Sequence, residues 1–449
     1  MTAGKQKKNV IIMGAAGRDF HDFNVFWKNE PNCNVVAFTA AQIPDIAGRT
    51  YPAQLAGPNY PKGIAIEDEA NIAKLIKEHE VDECVLAYSD LNHKDVMHKA
   101  AAVNAAGAAF KMLGWQQTMI PSKKPVIAIC AVRTGCGKSQ TTRKVCEYLK
   151  AAGMRVAVVR HPMPYGDLTK QICQRFATLE DLDKHECTIE EREEYEPHIV
   201  AGNLLFAGID YGAILEAAEK EADVIVWDGG NNDLPFFKPS LHIVVTDPHR
   251  PGHEMSYYPG ETNLRMADII VINKVDTASI DNIAIVEANI RAVNPNAKVV
   301  KAESQITVAD PELVKGSRVL VVEDGPTLTH GEMAFGAGYV AAKRGGASEI
   351  VDPRPTAVGS IKDTFEHYRH ITEILPAMGY GEKQMSELEK TINSTPCDLV
   401  LIGTPIDLSR LLKINKPTTR VTYDLVEQDS DHLRKMIEKV TSKKEACAK

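Results

Sequence analysis

Residues 127–142 read IAICAVRTGCGKSQTT. An apolar run gives way to a turn holding Gly135 and Gly137, and Lys138 and Ser139 then open a polar, helix-compatible stretch. Strand, glycine-bearing loop and helix follow in the order that phosphate binding requires. Small residues let successive backbone N–H groups converge on phosphate oxygens. A lysine offsets the β- and γ-phosphates, and the hydroxyl after it ligates Mg²⁺. The helix that starts there adds the positive end of its dipole. The segment predicts that Thr134, Gly135, Cys136, Gly137, Lys138, Ser139 and Gln140 surround a nucleotide. It departs from the usual pattern at Val132, where a glycine is expected. Arg133 stands where one class of dimerising P-loop proteins carries a second lysine, so it is expected on phosphate.

Outward from this loop, short apolar runs alternate with helical stretches. Strands are predicted over 9–13, 34–38, 83–87, 126–130, 155–159, 224–227, 242–246, 269–273, 298–301, 318–322, 399–402 and 420–423. Helices are predicted over 67–80, 92–106, 138–152, 280–293 and 332–343. Near-continuous apolar strands separated by helices imply α/β architecture with mostly parallel sheets. The polar, proline-bearing segment 121–125 marks a boundary, and the glycines and prolines at 345–355 mark another. The expected division is a Rossmann-like domain over 1–121, a P-loop domain over 122–348 and a smaller C-terminal α/β region over 349–449. The acidic run 178–196 reads as a solvated helix.

Further motifs fall at predicted strand ends, where α/β sheets bind ligands. Residues 223–232, DVIVWDGGNN, deliver Asp228, which is expected to serve catalysis and, with Ser139, to hold Mg²⁺. Residues 269–276, IIVINKVD, place Asn273, Lys274 and Asp276 where a nucleotide base is read, guanine or adenine. Residues 159–168, VRHPMPYGDL, offer Arg160 and His161 to an anionic substrate, since arginine's planar fork suits phosphate. Arg250, within DPHRPGHEMSYYPG at 247–260, is a further cation. Asp324 and His330, within VEDGPTLTHGEMAFGAG at 322–338, complete the expected substrate set. Near the N-terminus, IIMGAAGRDFHD at 11–22 resembles a Rossmann turn without the full glycine fingerprint, with Arg18 and His21 beside it.

Composition narrows the partners. The 449 residues are 44% hydrophobic and 25% charged, an ordinary globular balance. A net charge of −8 argues against nucleic acid. Nine scattered cysteines without a Cys-x-x-Cys pair argue against a disulfide framework or zinc site. No secretory signal and no membrane-length apolar run is visible, so a cytoplasmic protein is expected.

Taken in order behind the Rossmann-like segment, VRTGCGKS, VRHPMPYGDL, WDGGNND, INKVD and VEDGPTLTHGEMAFGAG resemble the cyclic 2,3-diphosphoglycerate synthetase family over most of the chain. The resemblance implies a ligase in which ATP phosphorylates 2,3-bisphosphoglycerate and the neighbouring phosphate closes a cyclic anhydride. Lys138, Arg133 and Mg²⁺ would offset the charge. It also implies a K⁺ requirement and a homodimer. Some members are described as GTPases, and the Asn273–Asp276 motif fits GTP better than ATP, so a GTPase switch is the competing expectation.

Overall fold

The computed structural model describes residues 7–15, 17–41, 46–161, 166–230, 233–329, 331–378, 381–428 and 431–442. Strands Val126–Ala131, Val224–Asp228 and Leu241–Thr246 are buried at every position. Strands so apolar need cover on both faces, which parallel crossovers provide. The P-loop strand Val126–Ala131 lies between the other two and parallel to both. Val156–Arg160 and Leu204–Ala207 extend the sheet on one side, and Ile269–Ile272 and Lys298–Val308 on the other. All these strands aim their C-terminal ends at one edge, so the loops carrying the motifs share that edge.

The N-terminal part forms a separate six-stranded sheet. Lys8–Met13 sits between Cys33–Ala40 and Glu83–Leu86, parallel to both, which is the Rossmann-like arrangement expected. Residues 64–68 form a strand, not the start of the helix predicted over 67–80: Ile64 and Ile66 alternate inward, and the α-helix is Ile72–Glu78. The turn residues Arg18 and His21 are buried. Arg18 faces Asp22 at 3.6 Å, and the His21 ring stacks on Phe236 at 4.0 Å, so they build the seam between the two parts.

The strand Lys298–Val308 changes partners along its length. Residues 298–301 pair with the P-loop sheet, and residues 302–308 run antiparallel to Thr418–Glu427. From there Leu399–Ile402 and Arg318–Asp324 continue the sheet in parallel. Two cores result, one over the P-loop strands and one from Val314 to Val421. Grouped by packing, residues 314–348 go with the second core, because Arg318–Asp324 pairs with Leu399–Ile402. The helix predicted over 332–343 begins only at Ala337, behind a turn. The last helix, His432–Ser442, returns Leu433 and Ile437 to the first core.

Ile437 is 2% exposed, so Ile437→Ala is expected to cost about 2–5 kcal/mol in denaturant unfolding. A loss below about 0.5 kcal/mol, the range of exposed substitutions, would show that this helix is not docked in solution.

Candidate functional site

The nucleotide loop is held from outside. Arg250 Nη2 donates to the Thr134 carbonyl at 2.8 Å. Lys274 Nζ donates to the Gly135 carbonyl at 2.6 Å, and Asn273 Nδ2 to the Cys136 carbonyl at 2.9 Å. Three successive carbonyls are thus drawn to one side. Asp247 anchors two of these cations, at 3.2 Å from Arg250 and 2.8 Å from Lys274, and they hold its carboxyl down to about 2 against the effect of burial. Gly137 has φ +104, and a Cβ there would lie 2.0 Å from Asn273 Nδ2, so glycine is required twice over. Val132 needs no such freedom. It continues the strand, donating to the Val245 carbonyl at 3.0 Å, and the close neighbour that must lack a side chain is Gly260.

Lys138 opens the helix Lys138–Ala151 and meets Asp228 Oδ1 at 2.7 Å. Asp228 is fully buried, and its Oδ2 faces Arg160 at 2.7 Å and His198 at 3.1 Å. Burial opposes ionisation of this carboxyl, but Arg160 and Lys138 outweigh it and hold it well below the usual range. Burial, with Arg160 adding to it, lowers the Lys138 amine to about 8.

A cavity of about 210 Å³ opens over the loop. Thr134, Gly135, Gly137, Lys138, Ser139, Gln140, Arg133 and Lys274 line its nucleotide side. Also lining it are Glu190, Glu193 and Glu194 of the helix Ile189–Val200, Glu323 and Asp324 at the end of Arg318–Asp324, and Tyr423. The structure therefore brings Asp324 to the site. Arg160 and His161 do not line this cavity: Arg160 is ion-paired with Asp228 and Glu194, and His161 lies 3.2 Å from Asp233. Arg250 braces the loop from behind, and Cys136 lies in the core. Asp276 is turned aside, its Oδ1 accepting from the Ser304 amide at 3.1 Å and its Oδ2 3.5 Å from Arg344. His330 lies outside the described residues.

Arg133 is buried and tied within its own chain. It pairs with Asp90 at 2.8 Å, reaches His253 Nδ1 at 2.8 Å, and stacks 3.6 Å from the centre of the Tyr257 ring. Asp90 comes from the N-terminal part and also accepts from the Thr134 amide at 3.2 Å and its hydroxyl at 2.7 Å. No motif marked Asp90; it sits at φ +58 in a loop that sequence pattern leaves blank. The acidic helix was likewise read as solvated. Thr188 caps it, and Tyr195, His198 and Ile199 pack one side of it into the core, while Glu193, about 160° around the helix from Tyr195, is buried on the side that lines the cavity. Among the described residues, no group of three or more His, Cys, Asp or Glu side chains is arranged to hold a metal ion, and no helix is long and apolar enough to cross a membrane.

Loop, lysine and strand-end carboxylate define a P-loop nucleotide-binding protein. Residues 197–303 match the family model for the P-loop domain of cyclic 2,3-diphosphoglycerate synthetase. Over 436 residues the chain is 62% identical to the arginine synthetase ArcE of Thermococcus kodakarensis, covering 97% of each. It is 22% identical over 285 residues to the cyclic 2,3-diphosphoglycerate synthetase of Thermococcus sibiricus, 57% of this chain and 64% of that one. Among solved structures, LpxK from Aquifex aeolicus in complex with ATP aligns with 72% of this chain and 90% of its own, at 15% identity and a TM-score of 0.41. The chain belongs to the P-loop synthetase family that holds ArcE and the cyclic 2,3-diphosphoglycerate synthetases.

Asn273→Ala frees the Cys136 carbonyl and is expected to weaken nucleotide binding about tenfold, the worth of a buried hydrogen bond to the loop; calorimetric titration checks it. Because the free Lys138 amine lies near 8, nucleotide binding is expected to take up protons above that pH, so affinity falls as pH rises past about 8. Heats of binding compared in two buffers of different ionisation enthalpy test the uptake.

Proposed function

We propose that this protein is an ATP-dependent ligase that makes arginine by forming a carbon–nitrogen bond of its guanidinium group. The observation that carries this reading is the excess of carboxylates in the cavity, whose lining holds Glu190, Glu193, Glu194, Glu323 and Asp324 beside Arg133, Lys138 and Lys274. A second ligand that is neutral or cationic suits it, whereas the phosphates of 2,3-bisphosphoglycerate would meet like charge. The 62% identity to a protein named arginine synthetase supports the same choice.

The chemistry follows from the product. The oxygen analogue of arginine is a ureide, and its oxygen is a poor leaving group. Transfer of the ATP γ-phosphoryl to that oxygen breaks the β–γ bridge and releases ADP. An amine donor then adds to the ureido carbon, the C–O bond breaks, and inorganic phosphate leaves. Lys138 and the amides of residues 135–139 would hold the phosphates, and Ser139 faces the cavity where Mg²⁺, when bound, would offset their charge. Both oxygens of Asp228 are engaged by Lys138, Arg160 and His198, so its part is to position Lys138, with any metal contact made through water.

The family match over 197–303 favours a second reading, closure of the cyclic anhydride of 2,3-bisphosphoglycerate at the same ATP site. That reading leaves the carboxylates without a purpose. A GTP switch is less well supported, since Asp276 is occupied by the Ser304 amide.

The test is turnover of purified protein with Mg²⁺, ATP and either citrulline plus ammonium or 2,3-bisphosphoglycerate. Arginine appearing in step with ADP is expected. A cyclic anhydride signal in ³¹P NMR, without arginine, would replace this reading with the second one.

A further inference from the structure

Glu193 is 6% exposed, and its Oε1 is buried without a hydrogen-bond partner. It lines the cavity that opens over the nucleotide loop. Its carboxyl is raised well above the usual range, first by burial and then by the charges of Asp324 and Glu190. Asp324 reaches the same space from another element, the end of the strand Arg318–Asp324. Its Oδ2 accepts from the Thr327 amide at 3.1 Å and from the Thr327 hydroxyl. An unpaired buried carboxylate is costly unless a cation meets it. In the free protein a proton meets that need, and a bound organic cation can take its place.

Resting on the arginine reading, we infer that Glu193 and Asp324 together seat the planar cationic head of the second ligand, a guanidinium, and select it over its neutral ureido counterpart. Two carboxylates from separate elements suit the fork of a guanidinium, which donates along two edges. The pair and Lys138 line one cavity, so a guanidinium seated on the pair shares the space over the nucleotide loop. The same carboxylates face the positive charge that develops as an amine adds to the activated ureide. Glu190 and Glu194 flank Glu193 on its own helix, Glu323 and Tyr423 approach from the second core, and Lys138 faces the pair from the nucleotide loop. Without ligand, this crowding keeps Glu193 protonated to higher pH. A bound guanidinium replaces that proton.

The experiment is calorimetric titration of the full chain, loaded with ADP and Mg²⁺, with L-arginine, with citrulline and with guanidinium chloride. Arginine is expected to bind more tightly than citrulline and to release a proton, its affinity rising with pH. Glu193→Gln, which keeps the shape, is expected to weaken arginine by about tenfold or more, to abolish proton release, and to leave citrulline and ADP affinity unchanged. Asp324→Asn, which can still cap its turn, is expected to act in the same direction. Wild-type arginine affinity in both variants would overturn the assignment. Guanidinium binding that depends on Glu193, with no arginine binding, would retain the cation seat and retire the arginine reading. No binding of either would overturn both.

Discussion

Three side chains from outside the nucleotide loop, Arg250, Lys274 and Asn273, each hold one of three successive loop carbonyls. A loop that binds phosphate must point its amides at the ligand and its carbonyls away, and nothing inside a short glycine turn enforces that choice. Here it is enforced by hydrogen bonds from two neighbouring strand ends, with Asp247 neutralising the cations behind. The position of Lys138, the opening of its helix and the mouth of the cavity all follow from this bracing. It also explains why the Asn-Lys pair of a base-reading motif can be present without its aspartate meeting a base. Two of the motif's residues are spent on the loop.

The N-terminal part takes hold of the same loop from the opposite direction. Asp90 grips both Arg133 and Thr134, and the buried seam of Arg18, His21 and Phe236 fixes where Asp90 can stand. An arginine at this position in a sequence suggests reach toward phosphate or a partner subunit. With a carboxylate at 2.8 Å and an aromatic ring at 3.6 Å, it joins two parts of one chain while still lining the cavity.

The P-loop and the strands around it are legible because they rest on local rules: apolar runs for buried strands, glycine where φ is positive, lysine and serine at a helix start. Asp228 was legible for the same reason, as a carboxylate ending an apolar strand beside the loop. Arg160 and Arg250 lie at the sheet edge that sequence points to, but sequence does not give the partners the structure supplies, Asp228 for one and the Thr134 carbonyl for the other. Glu193 is not legible in an acidic run, because packing on more than one side of the helix decides which carboxylate is buried. The end of the P-loop domain is hard to read for a related reason. A strand that leaves one sheet and joins another, as Lys298–Val308 does, carries no mark in its side chains.

That strand has a mechanical meaning. Its first four residues belong to the sheet that carries Lys138, and the rest to the sheet that ends in Asp324. Lys138 and Asp324 are therefore carried by two arms joined at a splice between Lys301 and Ala302, while Glu190, Glu193 and Glu194 ride with Lys138, because their helix packs on the P-loop sheet. The seven residues beyond the splice span roughly 20 Å, so a bend of about 10° there would move the far end by about 3.5 Å. Such a lever would convert a small change in backbone twist into a shift of Asp324 relative to Lys138, so the width of the cavity between them depends on one strand's curvature.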